Sequence, residues 1–419
     1  MAEFIALDGL EYDDVKAGPL DGVLSPPYDV VDEPLRRTLS LRSPYNIVHL
    51  ILPQAGAGRD AYQAAAAILQ DWRGGGVLRP AGRALYLLEQ DFEVSGRRLV
   101  RTALLGRIRL SPWREGGVYP HEVTLPKPKA DRLNLYRATH VQPGPVFALF
   151  EDRQGAAAAL AGEVKAAGVR REVDGPEGAH DRIWKVTDAR TIALFEKAMV
   201  RARFFIADGH HRYETALAYR EELAAGRRLP DDHPANFIMT AAVPFGDPGL
   251  VILPTHRLVK AAGRDVESAV QSLREDYDVA LSDASRVEAV MRPSASTIAL
   301  YAAGQWRVLT LKKGPREALV AEAGRLMADL NVYEARRLVL SRFFDDVDEA
   351  VAREKIRYTH EIAEAVSRVD SGEFDAGVVL APVSVEVMAA VAAEGLTMPP
   401  KSTYFYPKIP TGVALNPLG

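Results

Sequence analysis

Residues 201–220 read Arg-Ala-Arg-Phe-Phe-Ile-Ala-Asp-Gly-His-His-Arg-Tyr-Glu-Thr-Ala-Leu-Ala-Tyr-Arg, and this stretch carries polar groups suited to holding an anion. A short apolar run, Phe204–Ala207, stops at Asp208-Gly209. A helical pattern then opens at His210-His211-Arg212, with Ala216, Leu217 and Tyr219 supplying its apolar face. Strand, glycine turn and helix in series make backbone N–H groups converge on one point, where a phosphate can sit. Gly209 lets the chain turn without a Cβ and lets a ligand approach closely. From the first helical turn Arg212 can fork onto phosphate oxygens, with His210 and His211 beside it. Asp208 has two readings: a cap for the following helix, or a holder of a divalent metal or a substrate hydroxyl. The plainer alternative for the whole segment is a capped helix start with a solvated basic turn.

Three further loop-borne clusters combine charged or hydroxyl groups with aromatics, the setting in which function concentrates. They are Ser25–Asp29, His121–Arg132 and Lys401–Lys408. In the second, Glu122 is the carboxylate best suited to take a proton from a hydroxyl substrate, since its proline-braced loop can fix position and tune a pKa. The competing reading pairs it with Lys127, Lys129 or Arg132. In the third, Lys401 and Lys408 can oppose phosphate as point charges while Ser402 or Thr403 donates hydrogen bonds. Equally, Tyr404, Phe405 and Tyr406 can dock this segment as an ordered tail. Tyr28, Asp29, Asn46, Asp131, Arg132, His256 and Arg257 are the remaining candidates to bind substrate or line a site.

Zinc is a weaker expectation, with His121, His210, His211 and His256 as its ligands. Adjacent histidines on a helix diverge, and no His-Glu-x-x-His spacing is present. Neither a Walker-type glycine loop nor a Gly-x-Ser-x-Gly elbow occurs.

These residues must be positioned by the elements around them. Ser43–Leu52 reads as a buried strand ended by Pro53, and residues 59–73 as an alanine-rich helix closed by three glycines. Ala84–Leu88 and Val100–Arg109 read as strands joined through Ser95-Gly96, a hairpin with one wet face. Val146–Phe150 is a strand followed by another alanine-rich helix. Residues 183–220 read strand, helix, strand, turn, helix, and Asn236–Val243 and Val251–Leu253 read as buried strands. Further on, Thr297–Leu311 forms a hairpin around Gly304, and Pro315–Ser371 is largely helical. A strand, Ala376–Ala381, and a helix, Val385–Ala393, precede the tail. The fold expected is α+β: a central mixed-sheet domain carrying the turn, additional N-terminal strands, and a largely helical C-terminal region whose tail returns to the site. Its segments are an N-terminal α+β part (1–110), a nucleotide-binding core (111–260) and a C-terminal α+β region with a functional tail (261–419).

Composition narrows the function classes. With 419 residues, two or three packed units are expected. A formal net charge of −4 disfavours a dedicated nucleic-acid binder, because phosphate backbones reward clustered positive charge. The absence of cysteine excludes thiolate nucleophiles and Cys-ligated metals. No apolar run is long enough to span a bilayer, and the first residues lack a signal-peptide pattern, so a cytoplasmic location without a membrane partner is expected.

Taken together, the motifs are those of a known family. Ser25-Pro-Pro-Tyr-Asp-Val, Pro44-Tyr-Asn, His121-Glu with Lys129-Ala-Asp-Arg, Ala207-Asp-Gly-His-His-Arg-Tyr-Glu-Thr-Ala, Pro254-Thr-His-Arg and Lys401-Ser-Thr-Tyr-Phe-Tyr-Pro-Lys resemble domain-of-unknown-function family 1015 along almost the whole chain. A more distant resemblance concerns Asp208-Gly209-His210-His211-Arg212, which is similar to the nucleotide-phosphate turn of the ParB/sulfiredoxin-like fold, in the form found in archaeal free-serine kinases and a siderophore-pathway relative. That resemblance implies an ADP or ATP phosphate on the turn and a need for Asp208 in phosphoryl transfer. It also implies an upstream glutamate, here Glu122, as base towards a serine hydroxyl.

The activity that this resemblance implies is that of a nucleotide-dependent phosphotransferase acting on a small hydroxylated metabolite, most simply free L-serine. ATP or ADP would be the donor, and Mg2+ would be held by phosphate oxygens and Asp208. Asp208, His211 and Glu122 would be catalytic, while Gly209, His210, His211, Arg212, Lys401, Ser402, Thr403 and Lys408 would hold the nucleotide. Two other readings stay open: a non-catalytic regulator that binds CTP or ATP, and a metal-dependent hydrolase. The oligomeric state is left open.

Overall fold

The computed structural model describes residues 2–56, 58–124, 126–152, 154–168, 170–261, 265–291 and 297–419. Leu125, next to Thr124 in the second loop cluster, and the side chain of Lys127 lie outside the described residues. The chain forms two compact units. One comprises Met1–Pro120, Thr124–Leu250 and Pro407–Gly419, and the other His121–Val123 and Val251–Tyr406. No described helix is long and apolar enough to cross a membrane.

The first unit is built on a ten-stranded mixed sheet. Its central strands are β1 (Leu78–Val94), β2 (Arg97–Arg109), β3 (Val146–Phe150), β4 (His180–Val186), β5 (Phe204–Asp208) and β6 (Phe237–Pro244). They lie in the order β5-β3-β6-β2-β1-β4, flanked by Val118–Tyr119 beside β5 and Arg170–Asp174 beside β4. Phe4–Ile5 pairs with β2 and Leu7–Tyr12 with β1.

Alternation along the strands sends Leu85, Leu87, Leu104, Ile108, Val146, Ala148, Phe150, Phe204 and Ile206 to one face. Three helices cover that face with apolar side chains: α1 (Ala156–Ala167) with Ala157 and Ala161, α2 (Ala189–Ala198) with Ile192 and Phe195, and α3 (His210–Ala224) with Tyr213, Ala216 and Tyr219. The strand–helix–strand–turn–helix order read from residues 183–220 is therefore the order observed.

The hairpin forms through Ser95 and Gly96, both at positive φ. Its expected wet face, however, is dry: Ala84–Leu88 are buried on both faces. The C-terminal tail belongs to this unit and meets the second face. Gln90 and Arg101 donate to the carbonyls of Lys408 and Pro407. Further along the tail, Leu10 and Leu415 form an isolated bridge and Asn416–Pro417 pairs with Val141–Gln142.

Ser43–Leu52 is a second correction, since it is helical over Val48–Ile51, with Val48, Leu50 and Ile51 buried. An uninterrupted apolar run does not separate a buried strand from a buried helix turn. Asn46 decides the matter: its Oδ1 accepts the Val48 N–H at 2.9 Å and its Nδ2 donates to the Gly22 and Leu24 carbonyls. The Ser25–Asp29 loop is extended at its prolines and then turns, with Tyr28–Val30 forming a 3-10 turn.

The second unit carries a six-stranded antiparallel sheet. Its strands are β7 (His256–Val259), β8 (Tyr277–Ser282), β9 (Thr297–Ala302), β10 (Gln305–Leu311), β11 (Ile356–Thr359) and β12 (Ala376–Leu380), in the order β8-β10-β9-β12-β7-β11. The hairpin expected over Thr297–Leu311 is β9–β10, with Gly304 at its turn. Leu258, Ala299, Tyr301, Trp306 and Val379 pack against Ala365 and Val369 of the helix Ile362–Asp370. Within Pro315–Ser371 the helices are interrupted by β11, and Ala335–Leu340 is a π-helix. Val251–Leu253 is a strand as expected, but only Ile252 is buried, and it pairs with Tyr404–Tyr406.

Candidate functional site

The glycine turn forms where the register of β5 against β3 shifts between Ile206 and Asp208. Gly209 is the N-cap of α3 and has φ +92°. A Cβ there would come within 2.8 Å of Arg212 Nε, so left-handed geometry and close approach both call for glycine. Arg212 is buried and spends its guanidinium on two partners. Nη1 donates to the Pro145 carbonyl, and Nη2 donates to Asp208 Oδ2 at 2.7 Å. Burial works against the Arg212 charge, but Asp208 and then Asp29 outweigh it and leave its pKa above the ordinary value. The buried Lys408 brings its Nζ to 3.6 Å from Asp208 Oδ1. One carboxylate thus stands between two cations at the start of a fifteen-residue helix.

The turn is embraced by the first loop cluster. Arg132 lies over the Tyr28 ring, 4.1 Å from its centroid, and donates to the Ile51 carbonyl at 2.6 Å and to Asp131. Burial, with Asp29 adding to it, pushes the Tyr28 phenol up. Tyr28, Arg132, Tyr136, Arg212 and Thr411 line a cavity of about 20 Å³, room for about one water. Asp29 is exposed on the 3-10 turn, whereas Asn46 is fully buried and spends its side chain on the backbone, as described above. Lys129 is drawn to Glu214 of α3 at 2.8 Å, and that carboxylate also accepts from Trp113 and Thr124. Burial raises the Glu214 pKa, but Lys129, Thr124 and Trp113 together hold it below the ordinary value. His210 is buried, its ring centroid 6.3 Å from that of Trp113, and His211 is half-buried one residue on.

Glu122 and the first part of the tail belong to the second unit. Glu122 Oε1 accepts the Lys401 N–H at 3.1 Å, and the Lys401 carbonyl accepts from Arg257 Nη2 at 3.2 Å. Arg257 also donates to the Thr255 carbonyl, and burial pulls its pKa down to about 10. His121 Nε2 is 2.9 Å from Thr403 Oγ1, and Ser402 Oγ donates to the Pro399 carbonyl at 2.6 Å. His256 is buried with Nδ1 accepting from the Leu380 N–H at 3.2 Å, and burial drives its pKa down to about 3. Lys401 itself is exposed.

The residues named from sequence are therefore gathered in two groups. Tyr28, Asp29, Asn46, Asp131, Arg132, Asp208–Arg212 and Lys408 are in the first unit; Glu122, His256, Arg257 and Lys401–Thr403 are in the second. Among the described residues no group of three or more His, Asp or Glu stands close enough to hold a metal ion. Sequence reasoning misses Gln90, Arg101, Glu177 and Glu214, all of which brace the first group. Arg101 leaves no trace: it shares strand parity with Ala103 and Leu105, opposite to Leu104 and Ile108, on the face that the sequence reading expects to be wet.

Comparison with solved structures finds a free serine kinase in complex with AMP, 15% identical over 69% of this chain and 83% of that one, with a TM-score of 0.36. A conserved hypothetical protein from Pyrococcus furiosus is 15% identical over 70% of this chain and 90% of that one, with a TM-score of 0.37. SbnI with a C-terminal truncation, from Staphylococcus aureus, is 12% identical over 73% of this chain and 84% of that one, with a TM-score of 0.36. No curated protein matches the chain. The model of the family described as "Protein of unknown function (DUF1015)" matches residues 4–333, and the chain belongs to that family.

Proposed function

We propose that the chain is a nucleotide-dependent phosphotransferase that phosphorylates the hydroxyl of a small metabolite, with free L-serine as the first acceptor to test. The observation that carries the proposal is Asp208 flanked by Arg212 and Lys408 at a glycine turn that opens a long helix. Phosphoryl transfer asks a protein mainly for positioning and charge neutralisation. Here the first N–H groups of α3, Arg212 and Lys408 would neutralise the transferred group, with His210 and His211 beside it. A single carboxylate at the turn suits a Mg2+ that arrives with ATP or ADP and keeps mostly phosphate and water ligands. In the transfer, the acceptor oxygen bonds to the phosphorus, the bond to the nucleoside phosphate breaks, and the hydroxyl proton passes to a base. Glu122 is kept as that base on the motif resemblance alone.

A second reading, a CTP- or ATP-binding regulator without turnover, rests on the turn being complete within one unit: phosphate binding asks for Gly209, Arg212 and Lys408 and not for Glu122.

The test is a mass-spectrometric turnover screen with Mg2+, each of ATP, ADP and CTP, and a pool of hydroxylated metabolites including L-serine. Wild type is run beside Asp208→Ala and Glu122→Ala. A phosphorylated metabolite made by wild type and lost in both variants supports the phosphotransferase. A nucleotide-dependent rise in Tm that needs Arg212, without any product, supports the regulator, and neither result sinks both readings.

A further inference from the structure

Lys408 reaches Asp208 from a backbone that three side chains hold in place. Its N–H donates to Glu177 Oε2 at 2.8 Å, and its carbonyl accepts from Gln90 Nε2 at 3.2 Å. The preceding carbonyl, that of Pro407, accepts from Arg101, which also donates to Gln90 Oε1 at 2.5 Å. Arg101 is fully buried and Gln90 is 1% exposed, so this is an interior framework and not a surface contact.

Two further details tie the framework to the turn. The Arg101 guanidinium lies over Phe147, 4.9 Å from the ring centroid, and Phe147 is the ladder partner of Asp208 in the sheet. Glu177 sits at φ +63°, ψ 20°, a left-handed conformation that glycine adopts freely and glutamate does not. A glutamate kept in a glycine conformation calls for a role for its carboxylate. Beneath it, Gly175 leaves room for the buried Asp181: a Cβ there would lie 2.3 Å from Asp181 Oδ2.

We propose that Glu177, Gln90 and Arg101 are positioning residues that seat Lys408, holding its backbone so that the ammonium group stands beside Asp208 and meets the anion bound at the turn. The inference rests on the phosphate reading given above, and its test separates the two. Glu177→Gly relieves the backbone strain while removing the acceptor of the Lys408 N–H, so a purely structural role for Glu177 predicts a change in Tm alone, with unchanged binding and unchanged Lys408 reactivity. The seat predicts Mg·ATP binding weakened about tenfold and faster acetylation of Lys408 by acetic anhydride, read residue by residue in the mass spectrometer. Glu177→Gln, which keeps an acceptor oxygen, should restore binding to within about threefold.

Wild-type binding and wild-type Lys408 reactivity in Glu177→Gly would overturn the inference. Tight Mg·ATP binding by Lys408→Met would overturn the part in which the seated ammonium meets the anion. If wild type binds no nucleotide, the phosphate reading falls, and the acetylation rate alone decides whether Glu177 seats the lysine.

Discussion

The two groups of candidate residues solve the same problem, charge in a folded interior, in opposite ways. In the first unit cations that also meet carbonyls, at Pro145 and Ile51, find carboxylates besides: Arg212 and Lys408 converge on Asp208, Arg132 on Asp131, and Lys129 on Glu214. In the second, charged side chains answer the main chain: Glu122 accepts the Lys401 N–H, and Arg257 donates to the carbonyls of Lys401 and Thr255. A side chain tied to a carbonyl fixes a loop and gives up little when a ligand comes. A cation tied to a carboxylate can exchange that partner for a phosphate oxygen at small electrostatic cost. The first arrangement is suited to binding an ion and the second to shaping a segment of chain.

The largest effect that could break this contrast comes from its two buried arginines. Arg212→Met leaves Asp208 with Lys408 as its one remaining cation of the two described and the Pro145 carbonyl without its donor, and should cost about 2–4 kcal/mol, abolishing any nucleotide-dependent rise in Tm. Arg257→Met should cost about 1–3 kcal/mol and leave that rise intact. Urea titrations with and without Mg·ATP decide it, and equal behaviour of the two variants would end the contrast.

Next come the carboxylates. Asp208→Asn should lower turnover about hundredfold or more while nucleotide still binds. Glu122→Gln should do the same only if Glu122 is the base; unchanged turnover there would confine the chemistry to the first unit.

Glycines sharpen the comparison at smaller cost. Gly209→Ala meets both an unfavourable φ and the Arg212 side chain, whereas Gly304→Ala in the β9–β10 turn meets only φ, with nothing within 4 Å. Expected losses are about 2–3 kcal/mol for the first and about 1 kcal/mol for the second, measured as Tm shifts.

The smallest effect is a matter of pH. Burial pushes Asp181 in the first unit and Glu334 in the second up to about 7. Each holds its proton when folded but ionises near pH 4, about the ordinary carboxylate value, when unfolded. Its contribution to stability is therefore present below that range and lost as pH rises through about 7. Asp181→Asn and Glu334→Gln should each flatten the fall in stability between about pH 4 and about pH 7, the window set by those shifts. A slope identical to wild type in either variant would show that its carboxyl is not what titrates.

Much of the molecule is legible in the sequence because local signals are strong. Pro, Gly and strand alternation locate β3, β5, the β9–β10 hairpin and the helix Val385–Ala393. The Gly209 turn is readable because strand, glycine and helix are contiguous in the chain. The misreadings have a different cause. Val48–Ile51 reads as a strand because its helix depends on Asn46 bonding to Gly22 and Leu24. The supposed wet face of β1 is dry, and at Gln90 its partner is Lys408, from far along the chain. Glu177 and Gln90 are invisible as supports of Lys408 for the same reason: the contacts span 231 and 318 positions, and no periodicity encodes them.

That distance also bears on how the protein is made. The pairing of Leu10 with Leu415, and of Val141–Gln142 with Asn416–Pro417, joins an early segment of the chain to its final one. During synthesis from the N-terminus, the ten-stranded unit can collapse around its hairpin and helices, but Leu10, Gln90, Arg101 and Val141–Gln142 wait for residues 407–417 to be made. The second unit, whose strands run uninterrupted from His256 to Leu380, is complete in the nascent chain before the first can be sealed. A nascent chain that has emerged past Leu380 but not as far as Pro407 would hold every strand of its second sheet while the first unit still lacks its pairing with Leu415–Pro417.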